Sequence, residues 1–442
     1  MDLFTKNNDY KIALDKLDDS QSGAVLSEQE NIVIKAGAGS GKTSTLITAV
    51  ANYRYENLND RICAITYTRA ARAEMETRLR EMGVYDVEVT TIHVWSRNLL
   101  NDLAIKYDFK IKILEEAEIK SILSELVKSY LIRARIKSVN INILYTYITG
   151  SKIMDITDNY RRTLNALEER YINYKRENGL YDFTDYPLYL WDVMQMYNEY
   201  VYNIDALFVD EFQDVDETQF EIFERVLSKK KFYIGDPWQS IFIFRGADGR
   251  IFDKLDNFTV FKLKYNYRSY QEIIDYATTV YLDLKETASY GEDCYISMVE
   301  NSDPSTIHCC RGYGGEVITI TPYKECFKFH NKVKYWIDNP KKAAWEFFDR
   351  TPIILCRTNK QVKAIQEMGY MNTTTVHQAK GLEYPDVVVI DHTISSTEDL
   401  NIAYVGMTRA ENSLLVINWV QFEHYFMNWM EASNGNQYSN FV

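Results

Sequence analysis

The stretch Ala36-Gly37-Ala38-Gly39-Ser40-Gly41-Lys42-Thr43 limits what this chain can fold into more than any other feature of it. It fits a phosphate-binding loop with Ala at the first position, where Gly is commoner. Gly37, Gly39 and Gly41 let backbone N–H groups approach phosphate oxygens with no Cβ in the way. Lys42 is placed to meet the β- and γ-phosphates, and the Thr43 hydroxyl to ligate Mg²⁺. Ala36, Ala38, Ser40 and Ser44 complete the backbone cradle. The apolar run Ile32-Val33-Ile34 before the loop predicts a buried strand, and TSTLITAVANYRY after it predicts a helix. The positive end of that helix dipole adds to anion binding. A plain glycine-rich turn needs neither flank, so ATP and Mg²⁺ are the expected ligands.

The rest of the chain repeats the strand–turn–helix pattern of parallel sheets. Ile62 to Thr66 is followed by the Ala-rich TRAARAEMETRLREM, and Lys231 to Ile234 by GDPWQS. Pro352 to Cys356 and Asp386 to Ile390 predict buried strands of a second sheet. Ala206 to Val209 runs into DEFQD, which supplies the acidic half of an ATP site. Asp210 is the candidate to hold Mg²⁺, mostly through water, and Glu211 the candidate to polarise the attacking water. Acidic residues after a strand, taken alone, are more often a solvated loop. From about Leu114 to Tyr200 the pattern turns helical, with Ile119, Leu123, Leu126 and Tyr130 at helix spacing.

Composition leaves the partner open. The chain has 442 residues and a formal net charge of -13, which speaks mildly against a dedicated nucleic-acid-binding domain. A motor needs only a local groove with cationic and aromatic lining. No apolar run is long enough to suggest a membrane span, and MDLFTKNNDY lacks the features of a signal peptide. The six cysteines form no CxxC pair, so free thiols in a reduced cytoplasm are expected. His308, Cys309, Cys310, Cys326 and His330 fit no standard zinc spacing, and no structural zinc is expected.

With DEFQD following AGAGSGKT, the sequence resembles the UvrD/Rep/PcrA branch of superfamily 1 helicases. Further matches run in order from residue 17 to residue 410. LDDSQSGAV resembles the Q motif, TYTRAARAEM motif Ia, and TTIHVWS the next DNA-contact motif. GLYDFTD resembles the segment before the acidic box, and GDPWQSIFIFRGAD motif III. NYRS resembles motif IV, TVHQAKGLEYPDVVVID motif V and AYVGMTRA motif VI.

The resemblance implies roles residue by residue. Gln21 is expected to read the adenine edge, Tyr267 to stack on adenine and Glu383 to contact the nucleotide sugar. Gln239 is expected to sense the γ-phosphate, and Arg268 and Arg409 to act as arginine fingers. Tyr67, His93, Phe242, Phe244, Arg245, Arg357 and His377 are the DNA-binding candidates. Phe244 stands where the family often carries Trp.

The implied fold is α/β, with two RecA-like phosphate-loop domains of parallel sheets and a helical insertion in the first. The expected boundaries are 1–105 and 200–265 for domain 1A, 106–199 for insertion 1B and 266–431 for domain 2A, with a frayed tail at 432–442. The interval from Arg268 to His377 is barely enough to finish domain 2A, so the 2B insertion of larger relatives is expected to be absent or vestigial. Compactness, the expected loss of 2B and a Lys/Tyr/Asn-rich composition fit a phage or mobile-element source, and a cytoplasmic location is expected, the bacterial host cytosol if phage-encoded. The implied function is an ATP-dependent helicase moving 3′ to 5′ on single-stranded DNA and separating duplexes. Single-stranded DNA and tailed duplexes are the expected tracks, and single-strand-binding or recombination proteins the expected partners. The alternative is a single-strand translocase that strips proteins or serves recombination with little unwinding.

Overall fold

A computed structural model of the chain describes residues 8–134, 138–149, 158–199, 202–242, 246–247, 249–278, 308–313, 316–320, 351–367, 369–391 and 397–418. In chain order its strands are β1 Asn31–Ala36, β2 Ile62–Thr66, β3 Glu88–Thr91, β4 Ala206–Val209, β5 Lys230–Gly235, β6 Thr259–Leu263, β7 Tyr265–Asn266, β8 His308–Cys309, β9 Glu316–Ile320, β10 Ile353–Cys356, β11 Thr373–Thr375, β12 Tyr384–Asp391 and β13 Ala410–Asn418. Two compact units emerge. One comprises Met1–Ala13, Ile47–Asp210 and Val215–Phe232. The other comprises Leu14–Leu46, Glu211–Asp214 and Tyr233–Val442.

In the first unit β2 pairs in parallel with β3 on one side and β4 on the other. Every residue of β2 and β4 is buried, as parallel strands covered on both faces require. Between β3 and β4 the described residues form the helix Ile92–Tyr107 and then, within the stretch whose periodicity predicts helix, Glu116–Ala134, Ile141–Thr149, Asp158–Asn178 and Tyr186–Met196. Ile119 and Leu123, one turn apart, are buried with Leu144, Leu164, Leu167 and Tyr171 in a core of their own, and Leu126 and Tyr130 pack against it. At the end of the long helix, Lys175 donates to Asp182 (2.8 Å) and Asp185 (2.5 Å), and the Tyr171 hydroxyl donates to Asp182 (3.0 Å). These bonds pin the GLYDFTD segment to the helical core.

In the second unit β1 pairs in parallel with β6. A five-stranded sheet runs in the order β11-β10-β12-β13-β9, with each neighbouring pair parallel. Val387 to Ile390 of β12 are all buried, which gives a continuous apolar run rather than an alternating one. Leu400, Ala403, Tyr404 and Met407 of the helix Thr397–Met407 join Leu355, Val387, Val389, Leu414 and Val416 in one cluster, and Ala38 and Trp238 belong to it too. The phosphate loop is therefore anchored in the same apolar core as the motif VI helix. All six apolar runs picked out in the sequence are strands. Pro352 itself falls just before β10; it has no N–H for a ladder, and its carbonyl accepts from Asn372 Nδ2 (2.9 Å).

Among the described residues no helix is long and apolar enough to cross a membrane. Leu123 is fully buried at the centre of the helical core. Leu123→Ala is expected to destabilise the protein by about 2–5 kcal/mol, read as a lower urea midpoint in equilibrium unfolding.

Candidate active site

A loop that points its N–H groups at an anion turns its carbonyls outward, and each buried carbonyl then needs a donor. The structure supplies one for every carbonyl from Ala36 to Gly41. Lys42 Nζ reaches back to Ala36 O (3.4 Å) and Gly37 O (3.2 Å), and Ser40 Oγ donates to Gly37 O (2.7 Å). Asn266 Nδ2 donates to Ala38 O (2.6 Å), and the Tyr267 N–H donates to Gly39 O (2.8 Å). Gln21 Nε2 donates to Ser40 O (2.9 Å), and Thr45 Oγ1 donates to Gly41 O (3.0 Å).

Gly39 and Gly41 adopt φ of +68° and +77°, and a Cβ on either would crowd its neighbours. On Gly39 it would lie 2.7 Å from Asn266 Nδ2 and 2.8 Å from Arg268 Cβ. On Gly41 it would lie 2.7 Å from Gln21 Nε2. Glycine is needed at both positions for the backbone conformation and for the close approach.

Gln21 and Tyr267 flank this loop. Asp18 caps the helix Asp19–Val25 in a capping box with Gln21, whose Oε1 accepts the Asp18 N–H (3.1 Å). The Tyr267 hydroxyl donates to Asp18 Oδ2 (2.5 Å). Burial works to raise the Asp18 carboxyl, but hydrogen bonds from Ser20, Tyr267 and Gln21 outweigh it and hold its pKa below the usual value. Thr43 and Ser44 sit half-buried in the first turn of the helix Lys42–Glu56.

Asp210 directly follows β4, buried, with its N–H donating to Ile65 O (2.9 Å). Glu211 follows with φ of +49°, a left-handed conformation costly for a residue with a Cβ. Burial pushes its carboxyl pKa up, but Lys380, Lys42, a hydrogen bond from Gln213 and Arg409 prevail and lower it. The carboxylate is thus held ionised.

A relay leads onward from Glu211. Gln213 Nε2 donates to Glu211 Oε2, and Gln213 Oε1 accepts the Asp236 N–H (2.9 Å). Gln239 Nε2 donates to Asp236 Oδ2 (2.7 Å), and Arg409 Nη2 donates to Gln239 Oε1 (3.1 Å). Burial, above all, raises the Asp236 pKa. Arg409 is itself buried, donating also to Val405 O and Leu382 O. Arg268 donates to Thr408 O (3.1 Å) and to Glu383 Oε1 (2.5 Å), while its buried Nε has no partner. Burial lowers the Lys42 pKa, with Asp236 and Glu211 opposing and Arg268 and Arg409 reinforcing. A buried N–H without an acceptor, beside a lysine held only by loop carbonyls, suits an incoming phosphate oxygen.

The expected DNA contacts fall in two places. In the first unit Tyr67 is half-buried just after β2. His93 lies in the first turn of Ile92–Tyr107, its ring stacked on Phe183 (6.3 Å, 13°). In the second unit the Phe242 ring lies 6.1 Å from that of His377 and 4.8 Å from the Lys380 ammonium. His377 Nε2 bonds Ile241 O (3.2 Å), while Arg357 is paired with Asp399 (2.6 Å). Phe244 and Arg245 lie outside the described residues, as do Cys326 and His330 of the cysteine–histidine group. Cys309 and Cys310 are free thiols.

Sequence reasoning passed over Asn266, Gln213, Asp236 and Lys380. Lys380 donates to Asp214 (2.8 and 2.6 Å) and to Gln239 O (2.9 Å), and both charged side chains are almost fully buried. A lysine before a glycine ordinarily signals a solvated turn, and with Lys380 and Asp214 separated by 166 positions nothing in the sequence points to that partner.

The cradle, the acidic pair and the buried arginines define an α/β nucleotide-binding protein of the phosphate-loop class. Residues 17–259 match the UvrD/REP helicase N-terminal domain, and residues 372–417 match the UvrD-like helicase C-terminal domain. The chain belongs to the UvrD/REP helicase family. It is similar to a probable DNA helicase II homolog of Mycoplasma capricolum, 30% identical over 59% of this chain and 40% of the relative. It is also similar to DNA helicase II of Escherichia coli, 27% identical over 81% of this chain and 51% of the relative. A probable DNA helicase of Mycoplasma pneumoniae is 23% identical over 92% of this chain and 84% of the relative. Apart from that last protein, the chain spans about half the length of the curated relatives it matches.

Removing Lys380 leaves Asp214 buried and unpaired. Lys380→Met is expected to cost about 3–5 kcal/mol of stability, and adding Asp214→Asn should restore part of it. Urea unfolding of the single and double variants checks this; additive losses would contradict a coupled pair.

Proposed function

We propose that the protein is an ATP-driven motor on single-stranded DNA, moving 3′ to 5′ and separating duplex DNA as it goes. The observation that carries this reading is the buried relay from Glu211 through Gln213, Asp236 and Gln239 to Arg409, set against the phosphate loop. It joins the candidate base to a candidate arginine finger in one network. Such a network is what a site needs in order to respond to a γ-phosphate.

Roles follow from chemistry. The loop amides and Lys42 bind the phosphates, with Tyr267 and Gln21 on the adenine and Glu383 on the sugar. Thr43 and Asp210 are the residues we assign to Mg²⁺, which when bound neutralises phosphate charge. Glu211 accepts a proton from water as the water oxygen bonds to the γ-phosphorus. The bond to the bridging oxygen breaks, and ADP keeps that electron pair. Arg268 and Arg409 stabilise the charge spread over the transferred group, a contribution worth roughly 10³–10⁵ in rate.

Coupling to DNA is supported by residues 239–242. The Gln239 side chain faces Arg409, while its carbonyl bonds Lys380. The Ser240 carbonyl accepts from Asn401, the Ile241 carbonyl is bonded by His377, and Phe242 lies beside His377 and Lys380. A rearrangement at Gln239 therefore reaches the candidate base-stacking residues within three residues of chain. Tyr67, His93, Phe244, Arg245 and Arg357 complete the proposed DNA contacts.

We assign domain 1A to 1–105 and 200–265, insertion 1B to 106–199 and domain 2A to 266–431, with the 2B insertion absent or vestigial. In support, β8 to β11 all fall between Arg268 and His377, and three of them lie in the five-stranded sheet. That spends much of the interval where larger relatives carry 2B. The shortness of this interval favours a second reading, a translocase that strips proteins with little unwinding. Strand separation on tailed duplexes against streptavidin displacement from single strands decides between the two.

Mg²⁺-dependent ATP hydrolysis, measured with and without single-stranded DNA, tests the proposal. Strong stimulation that is lost in Lys42→Ala is expected; no stimulation would overturn the DNA half of the reading. The lowered Glu211 pKa also fixes the sign of one pH effect. The ionised base persists above its folded-state pKa and is lost only as pH falls through it. The acid limb of kcat/KM due to Glu211 should therefore lie below the ordinary glutamate value of about 4.3.

A further inference from the structure

Arg268 and Arg409 are far apart in sequence, yet a phosphoryl-transfer site needs them in fixed relation to each other. Part of that relation is direct. Arg268 Nη1 donates to Thr408 O (3.1 Å), Ser269 Oγ donates to Ala410 O (2.6 Å), and the Tyr270 N–H donates to Glu411 O (3.2 Å). A third segment, residues 308–313, braces both. β8 pairs in parallel with β7 through Tyr265↔His308 and Asn266↔Cys309. The Cys310 N–H donates to Asn266 O (2.8 Å), and the Gln271 N–H donates to Gly312 O (3.0 Å). The Cys309 N–H donates to Gln271 Oε1 (2.8 Å). The brace is thus stitched along motif IV on either side of Arg268.

From this brace Arg311 reaches both finger segments at once. Its Nη1 donates to Arg268 O (2.8 Å) and Glu411 O (3.0 Å), and its Nη2 donates to Asn412 Oδ1 (2.7 Å). Its guanidinium lies 4.0 Å from the centre of the Tyr270 ring. The planar fork of an arginine can meet three acceptors in this arrangement while stacking on a ring. An ammonium, being a point charge on a flexible stem, cannot hold the same set. Arg311 belongs to none of the motifs recognised in the sequence.

We propose that Arg311 is a positioning residue for ATP hydrolysis, locking the Arg268 segment to the Arg409 segment so that both guanidinium groups meet the transferred phosphoryl together. This rests on the reading of Arg268 and Arg409 as arginine fingers. Arg311 itself touches no reacting atom. It acts through the Arg268 carbonyl and through Glu411 and Asn412, just past Arg409. Loosening the lock leaves phosphate-loop binding of ADP intact and costs only the interactions made in the transition state.

Four variants of the full chain test this: Arg311→Ala, Arg311→Lys, Arg268→Ala and Arg409→Ala. The readouts are kcat and KM for ATP at saturating single-stranded DNA, and affinities for ADP and for ADP–aluminium fluoride, a mimic of the transferring phosphoryl. Arg311→Ala should lower kcat by roughly 10- to 100-fold, the scale of an ångström misplacement. KM and ADP affinity should hold, while ADP–aluminium fluoride affinity falls in step with kcat. Arg311→Lys should recover only part of the loss. Should Arg311→Ala fail to fold, Arg311→Lys carries the test. Wild-type kcat and analogue affinity in the lysine variant would then overturn the proposal. Equal loss of ADP and analogue binding would also overturn it, because that pattern marks a purely structural role. If Arg268→Ala and Arg409→Ala keep wild-type kcat, the finger assignment fails instead, whatever Arg311 does.

Discussion

The hydrogen bonds that Asn266 and Tyr267 donate to the carbonyls of Ala38 and Gly39 hold this structure's chemistry together. A phosphate loop must present its amides inward, so its carbonyls face the protein and need donors. Here the donors for two of them come from NYRS, and Arg268 follows directly in that segment. The need to satisfy a strained loop therefore brings an arginine against it. The Asn266 Oδ1 returns the favour, accepting the N–H groups of Arg268 (2.9 Å) and Ser269 (2.8 Å), and so fixes the turn on which Arg268 stands. One asparagine side chain sets both the loop and the arginine.

The second organising element is a set of interleaved charges, most of them buried or half-buried. Lys42, Lys380, Arg268 and Arg409 are interleaved with Glu211, Asp214, Asp236 and Glu383. Burial works against the Glu211 carboxylate, yet the opposite charges and hydrogen bonds around it hold it ionised. Asp236 shows the other balance: burial prevails and raises its pKa. Charges held this way respond strongly to a new anion, because little water is present to screen it. In the proposed mechanism nucleotide arrival is felt at Gln239, and the peptide carbonyls from Gln239 to Ile241 connect that residue to Lys380, Asn401 and His377.

Much of this was legible in the sequence, because much of it is local. AGAGSGKT between an apolar run and a helix, DEFQD after another run, and the period of Ile119 and Leu123 each carry their structure within a few residues. The six apolar runs became strands for the same reason. What the sequence hid is long-range satisfaction. Nothing near Ala38 says that its donor is Asn266, nothing near Asp214 says that its counter-ion is Lys380, and nothing near Arg268 points to Arg311. Those partners are set by which strands pair, as β7 with β8. Gln21 illustrates the same limit: the expected adenine reader also supports the loop through Ser40 O. That second task is visible only once the helix Asp19–Val25 is in place.

The claim at the centre of this account is that the nucleotide site and the DNA contacts are one mechanism. Fluorescence anisotropy of a labelled single-stranded oligonucleotide measures it most directly, with the protein titrated alone, with ADP·Mg²⁺ and with a non-hydrolysable ATP analogue and Mg²⁺. The account predicts distinct DNA affinities for the three states, with the differences abolished in Lys42→Ala. The same affinity in all three states of the wild-type protein would contradict it.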